Sequence, residues 1–321
     1  FSATKLIWLF RHNQKVREAI QNGNAFFGTV DTWLLYKLSR GAVYATDYTN
    51  ASRTLFFNLH TLHWDDELIK EFGLTGINLP DIKSSAAVFS ATDCNGLFSK
   101  QIPITAMIGD SHAAAFGEGC FDSGTAKATL GTGCSILMNI GSKPVQSQNG
   151  MVTTVCWSAG NRIDYALEGV IVSCGATIEW MKNEMQLFAD SAATETMATA
   201  VTDNGGVYLI PAFSGLGSPH WDMERRAALT GMSFGTTKNH LVRAALESIP
   251  YQIKDVIVAM EMDAAITLKE LNADGGITAN KFVIQFLTDL LNKNVATISM
   301  PDVSALGAAY LAGLQAGVYK S

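Results

Sequence analysis

The chain predicts an α/β protein, a mixed sheet covered by helices on both faces and divided between two domains. Three observations carry this. At 321 residues the chain is long for one core. Between residues 126 and 167, apolar runs alternate with small-residue turns, the texture of hairpins. From Val207 onward, strand-like apolar runs alternate with helix-length amphipathic segments, which sets helices against a sheet.

In order along the chain, residues 5–20 place Leu6, Leu9, Phe10 and Val16 near helical spacing, so one amphipathic helix is expected. Asp31-Thr32 can cap a short helix reaching residue 38. Residues 45–53 are polar and turn-rich and read as a loop; there Asp47, Asn50 and Arg53 either cap backbone or face a cleft. Residues 65–72 form a second short helix stopped by Gly73, and 76–95, with Pro80 and many small residues, read as loop with short extended pieces. An apolar strand at 104–108 ends at Gly109, before an Ala-rich helix. Strands follow at 126–130 and 136–140 around Gly131-Thr-Gly, and at 152–157 and 165–167 around Ser158-Ala-Gly-Asn161. A helix over 170–185, a strand at 207–211 and a long helix over 239–262 come next. Strand 268–273, helix 279–291, strand 295–299 and helix 305–316 complete the alternation. Trp8, Trp33, Leu34, Met260 and Met262 read as packing residues. With no low-complexity linker, the border is expected between Gly117 and Gly124, giving domains 1–118 and 119–321 that meet across a cleft.

Composition narrows the function classes. A hydrophobic fraction of 48% and a charged fraction of 16% belong to an ordinary globular chain. The net charge of −6 argues against a general nucleic-acid surface. No apolar run approaches the roughly 18 residues of a membrane helix, and no signal peptide opens the chain, so no membrane partner is expected. Five scattered cysteines without a C-x-x-C pair indicate reduced thiols and a cytoplasmic setting, rather than a disulfide framework or a zinc site. His60 and His63 lack acidic or Cys companions, so no residue is assigned as a metal ligand. From the start at Phe1, already inside a patterned segment, a fragment is expected.

Three segments carry chemistry. Ile108-Gly-Asp-Ser-His112 sets a carboxylate where a strand turns into a helix, and Gly131-Thr-Gly-Cys-Ser135 is a turn whose glycines let backbone approach a phosphate. Alone, a Gly-Thr-Gly turn needs no ligand, and Gly-Asp can simply cap a helix. Asn272-Ala-Asp-Gly-Gly-Ile-Thr-Ala-Asn280 adds a third element, two glycines after a strand and free N–H groups at a helix start. Neither the G-x-G-x-x-G fingerprint nor a Walker loop occurs.

Ala227-Ala-Leu-Thr-Gly-Met232, seven residues, then His240-Leu-Val-Arg-Ala-Ala-Leu-Glu247 matches the second signature of the FGGY carbohydrate kinases. Ser2, Lys5, Trp8 and His12 fit the first, whose opening residue would precede Phe1. Phe27-Gly-Thr-Val-Asp-Thr-Trp-Leu34, Thr46-Asp-Tyr-Thr-Asn-Ala-Ser-Arg53, Tyr165-Ala-Leu-Glu-Gly169 and Pro211-Ala-Phe-Ser-Gly-Leu-Gly217 resemble the same family, glycerol kinases most of all. The resemblance spans the chain. It implies the two-domain actin-like ATPase (ribonuclease H-like) fold and ATP-dependent phosphorylation of a sugar or polyol, with Asp110 as general base and Mg²⁺ bridging phosphate oxygens. It implies that Gly131 and Thr132 line the phosphates, that Gly175, Glu179, Gly276, Ile277 and Asn280 form the nucleotide pocket, and that the partners are a small sugar or polyol and further copies in a homodimer or homotetramer. The family's first segment, with an Asp-x-Gly-Thr-Thr phosphate loop and an Arg-Glu pair for the acceptor, would lie before Phe1, so the fragment alone is expected to be inactive.

Three departures stand out. Ser111 replaces the Gln that follows the base in glycerol kinases, Ser135 replaces an aromatic residue, and Glu179 replaces a Gln. Ser111 and Ser135 both open volume where the acceptor would bind, which favours a larger polyol or a ketose over glycerol. Asn95-Gly-Leu-Phe-Ser-Lys100 lacks the basic, Gly-rich loop that binds a regulatory sugar phosphate in some relatives, so that regulation is not expected. Glycerol kinase proper and a noncatalytic ATP-binding relative are the alternatives; the carboxylate at Asp110 favours an enzyme.

Overall fold

The computed structural model describes residues 1–320. The chain opens with helices α1 (Ser2–His12), α2 (Gln14–Gln21) and α3 (Val30–Leu38). A short strand β1 (Ala45–Asp47), one helical turn α4 (Tyr48–Ala51), the hairpin β2 (Phe57–Asn58) and β3 (His63–Trp64), and helix α5 (Asp66–Glu71) follow. Strands β4 (Asp81–Lys83), β5 (Ala86–Thr92) and β6 (Ile102–Ala106) lead into α6 (Asp110–Gly117). Then come β7 (Thr125–Leu130), β8 (Cys134–Gly141), β9 (Val152–Ala159) and β10 (Arg162–Ile171). Beyond them lie α7 (Gly175–Asn183), α8 (Ala193–Thr199), β11 (Tyr208–Ile210), β12 (Ala228–Thr230) and the long α9 (Lys238–Ala264). Strand β13 (Glu270–Asp274), a 3₁₀ turn (Gly276–Ala279), α10 (Lys281–Leu291), β14 (Asn294–Thr297) and α11 (Val303–Gln315) complete the order.

One sheet runs β14-β13-β7-β8-β10-β9-β5-β6. β13 lies parallel to β14 and β7, whereas β7, β8, β10 and β9 pair antiparallel. A single residue pair, Ala86 opposite Ala159, joins β5 to β9. Alternation along the strands separates two cores. Ala126, Ala128 and Leu130 of β7 enter the same core as Val242, Ala245, Leu246 and Ile249 of α9. On the other face, Leu137 and Ala166 pack with Ala115 and Phe116 of α6 and Leu311 of α11.

α6 is Ala-rich because it lies against both the sheet and α11. A Cβ on Gly307 would overlap the Ala113 carbonyl oxygen, and one on Gly117 would stand 2.7 Å from that of Val303, so two glycines set the approach of the helices.

Several local expectations are corrected. The helix expected over 5–20 breaks at Asn13, which turns extended and caps the second helix by accepting from the Val16 amide at 3.3 Å. Residues 45–53 hold β1 and α4 instead of loop, because Asp47 accepts the Thr49 and Asn50 amides and starts a helical turn. Residues 76–95 contain the seven-residue β5; its register shift against β6 removes the strict alternation that marks a strand. The helix expected from residue 170 begins at Gly175, since Val170 and Ile171 pair with Ser135 and Cys134 as the end of β10. Helix α8 and strand β12 had no counterpart in the pattern. Trp8, Trp33 and Leu34 are more than half exposed rather than packed; Trp8 stacks on His12 and Lys37 lies over Trp33. Met260 is buried, as expected of a packing residue, but Met262 is exposed.

Gly307→Ala is expected to destabilise the protein by about 2–3 kcal/mol, because the methyl can be accommodated only by moving α11 off α6. Chemical denaturation of parent and variant measures it. An unchanged midpoint would mean that the helix contact carries no constraint.

A candidate active site at the end of the sheet

Register brings the site together. Asp274 on β13 stands opposite Thr129 on β7, Thr129 opposite Ser135 on β8, and Ser135 opposite Val170 on β10. This row across four strands lies where β7 and β13 both end. All four residues line a cavity of about 460 Å³, and Asp110, Ser111, Lys127, Gly131, Gly133 and Ser304 are among the others on its wall. The faces of the strands decide which residues reach it. In Thr125-Ala-Lys-Ala-Thr-Leu130 the odd positions point toward α6 while the alanines enter the opposite core.

Asp110 occupies the first turn of α6 and is exposed; its Oδ1 accepts the Ser111 amide at 2.7 Å. A carboxylate there is favoured by the positive end of the helix dipole. Behind it, His112 is fully buried, with one ring nitrogen 3.2 Å from Thr154 Oγ1. Burial, then the charges of Arg53 and Lys127, push its pKa down to about 3, so it is a neutral packing group. Arg53 and Glu168 form an ion pair beside it.

Lys127 is almost wholly buried, and its Nζ donates to Thr129 Oγ1 at 2.8 Å. Glu118, where α6 ends, has no partner on either carboxylate oxygen, and Asp274 has none on Oδ1. Burial raises the Glu118 carboxyl to about 7, Asp274 adds to the rise, and Lys127 opposes it. Lys127 and Asp274 line the cavity, and both act electrostatically on the Glu118 carboxyl at the end of α6. Sequence reasoning missed Lys127, Thr129 and Ser304, and passed over Asp274 although it quoted the Asp-Gly-Gly turn. The polar face of the alternating β7 was the available signal.

Of the residues expected at the site, Asp110, Ser111, Gly131 and Ser135 share the cavity wall. Ser135 Oγ is enclosed and has no hydrogen-bond partner. Thr132 is exposed at the tip of the turn, where its carbonyl accepts the Cys174 and Ala176 amides. Gly175 donates its N–H to the Gly131 carbonyl at 2.9 Å; a Cβ there would come within 2.7 Å of that oxygen and 3.5 Å of Ile277 Cδ1. The Gly131-Thr-Gly turn, Gly175 and Ile277 are therefore neighbours. Glu179 and Asn280 do not line the cavity but meet at one segment. Glu179 Oε1 accepts from Ser191, while Asn280 caps α10 and donates Nδ2 to Thr194 Oγ1 at 3.1 Å. Gly276 is exposed, and a Cβ built on it meets nothing within 4 Å. Gly275 is the crowded glycine, with φ +95° and Leu130 O 2.5 Å from a Cβ.

The family models for the N-terminal and C-terminal domains of the FGGY carbohydrate kinases match residues 1–117 and 126–316. The chain belongs to the FGGY family of carbohydrate kinases. This FGGY chain is 49% identical over 321 residues to a glycerol kinase of Brevibacillus brevis, covering 100% of the chain and 64% of that relative. It is 47% identical over 320 residues to one from Bacillus velezensis, again covering 64% of it. A crystal structure of Plasmodium falciparum glycerol kinase with ADP superposes with a TM-score of 0.94 at 38% identity, over 100% of this chain and 64% of that one. The chain thus spans a little under two thirds of its relatives' length, and its fold is the actin-like ATPase fold of the FGGY kinases. Among the described residues, no helix is long and apolar enough to cross a membrane.

Gly276→Val should leave the fold intact, because its side chain enters open space, and weaken ATP binding by at least about tenfold if adenine approaches that backbone. Calorimetry with ATP on the intact protein decides it; unchanged affinity would remove Gly276 from the nucleotide pocket. Glu118 sets a pH dependence. Its folded pKa of about 7 lies above the ordinary 4.5, so between those values the native state holds the proton that the unfolded chain has released. Stability contributed by this group is complete at low pH and is lost as pH rises through about 7. Glu118→Gln should flatten that fall, read as denaturation midpoints at about pH 5 and pH 8. An equal fall in parent and variant would show that Glu118 ionises normally.

Proposed function

We propose that the intact protein transfers the γ-phosphoryl group of ATP to a hydroxyl of a small polyol or sugar, with Asp110 as general base. The observation that carries this is the shared wall: an exposed carboxylate at a helix start and the Gly131–Ser135 turn enclose one cavity. Asp110 would take the acceptor's proton as its oxygen attacks phosphorus, while Gly131 and Thr132 hold the phosphates in line. Residues 1–118 would present the acceptor side and 119–321 the nucleotide side. Asp274 Oδ1 has no hydrogen-bond partner, and the carboxylates of Asp274 and Asp110 on one cavity wall suit a hard cation that also takes phosphate oxygens. Mg²⁺ held there would offset the charge of the phosphates. Lys127 supplies fixed positive charge on the same wall.

Two serines shape the acceptor. Ser111 and Ser135 both line the cavity, and their short side chains leave volume for a longer acceptor. A four- to six-carbon polyol or ketose uses that space better than glycerol. Glycerol is the second reading, favoured by the relatives named glycerol kinase.

Asp110→Asn keeps the shape of the side chain and removes the base, and should lower turnover by at least about a hundredfold while nucleotide affinity holds. Near-parental turnover would overturn the assignment and leave a nucleotide-binding protein. For the acceptor, kcat/KM is compared across glycerol, tetritols, pentitols and ketoses. Ser135→Phe should fill the added volume and reduce activity on the longer acceptor more than on glycerol. If the parent prefers glycerol to every longer acceptor, the enlarged-pocket reading fails.

A further inference from the structure

Asp47 is fully buried and receives more hydrogen bonds than a helix cap requires. The amides of Thr49 and Asn50 donate to it at 3.0 Å, Asn50 Nδ2 at 2.8 Å and Ser85 Oγ at 2.7 Å. Thr49 Oγ1 adds its proton, 2.8 Å from Oδ2. Burial lifts the carboxyl above its ordinary value, while Ser85, Thr49 and Asn50 pull it back.

The same Thr49 hydroxyl accepts the N–H of Gly109 at 2.9 Å. Direction is forced here. A backbone amide only donates, so Thr49 must accept from Gly109, and its single proton must go elsewhere. Asp47, an acceptor on every lone pair, takes that proton and fixes the hydroxyl's orientation. Gly109 is in turn the N-cap of α6, the residue immediately before Asp110. We infer that Asp47 is a positioning residue for the reaction, acting through Thr49 on Gly109 to hold Asp110 at its place on the cavity wall. The inference rests on the reading of Asp110 as the base.

A purely local role is the competing account, since Asp47 also caps α4. Thr49→Val separates the two. It is close to isosteric, leaves the backbone amides of residues 49 and 50 and Ser85 on Asp47, and removes the hydroxyl that links Asp47 to Gly109, with its bonds to both. In the intact protein this variant should lose hydrogen-exchange protection at the Gly109 amide and lower kcat by about tenfold, with ADP affinity within about twofold of the parent. Thr49→Ser, which restores the hydroxyl, should recover both. Asp47→Asn sets an NH₂ among these donors and should show the same split; should it fail to fold, the Thr49 pair decides alone. Parental kcat in Thr49→Val, while Asp110→Asn has lost turnover, overturns the positioning role and leaves the base reading standing. Equal losses of kcat and ADP affinity in Thr49→Val also overturn it, since they report general damage to the cleft. Full turnover in Asp110→Asn overturns the base reading itself.

Discussion

Backbone contact between α6 and α11 is the constraint on which the site depends. Gly117 and Gly307 let the two helices approach until carbonyl oxygens stand where side chains would be. That approach presses α6 onto β8 and β10, where Leu137 and Ala166 meet Ala115 and Phe116. The helix then presents its first residue, Asp110, to the cavity, and sets Glu118 at its end beside Lys127 and Asp274. A helix held this closely cannot tilt without opening one core or the other, because packed interiors lose contacts over gaps of under an ångström.

Polar groups at the floor of the cavity answer to the same geometry. Lys127 donates to Thr129, while both Glu118 oxygens and Asp274 Oδ1 are buried without a hydrogen-bond partner. Burying charge without full pairing is costly and is found where function requires it. By contrast, Arg53 and Glu168 are paired, and Asp47 is saturated with donors. Behind Asp110, the buried His112 has one ring nitrogen near Thr154 and the other without a partner.

Much of the fold was legible because its signals are local. The strands around Gly131-Thr-Gly, the long α9 and the closing strand-helix alternation each rest on a period within one segment. The misses were set by distant partners. β5 is a strand because β6 and β9 pair with it, although its burial does not alternate. Residues 170–171 remain strand because β8 extends alongside them. The break at Asn13 was local, an Asn cap inside an apolar repeat, and the repeat masked it. Trp33 reads as core by composition but stays exposed beside Lys37.

The sequence by itself determined the residues able to do chemistry and the turns that carry them: Asp110 after Gly109, the Gly131-Thr-Gly turn and the Asp274-Gly-Gly turn, together with the family signature around them. These follow from backbone freedom at glycine and from side-chain chemistry, which need no neighbour to be read. Tertiary structure decided which of them meet. Strand register set Asp274, Thr129, Ser135 and Val170 in one row, and strand alternation aimed Lys127 at α6. Helix packing placed Asp110 opposite them and left Thr132, Glu179, Gly276 and Asn280 off the cavity wall. Pairing between strands some 35 to 150 residues apart in the chain is a global property of the sheet, so no local pattern encodes it.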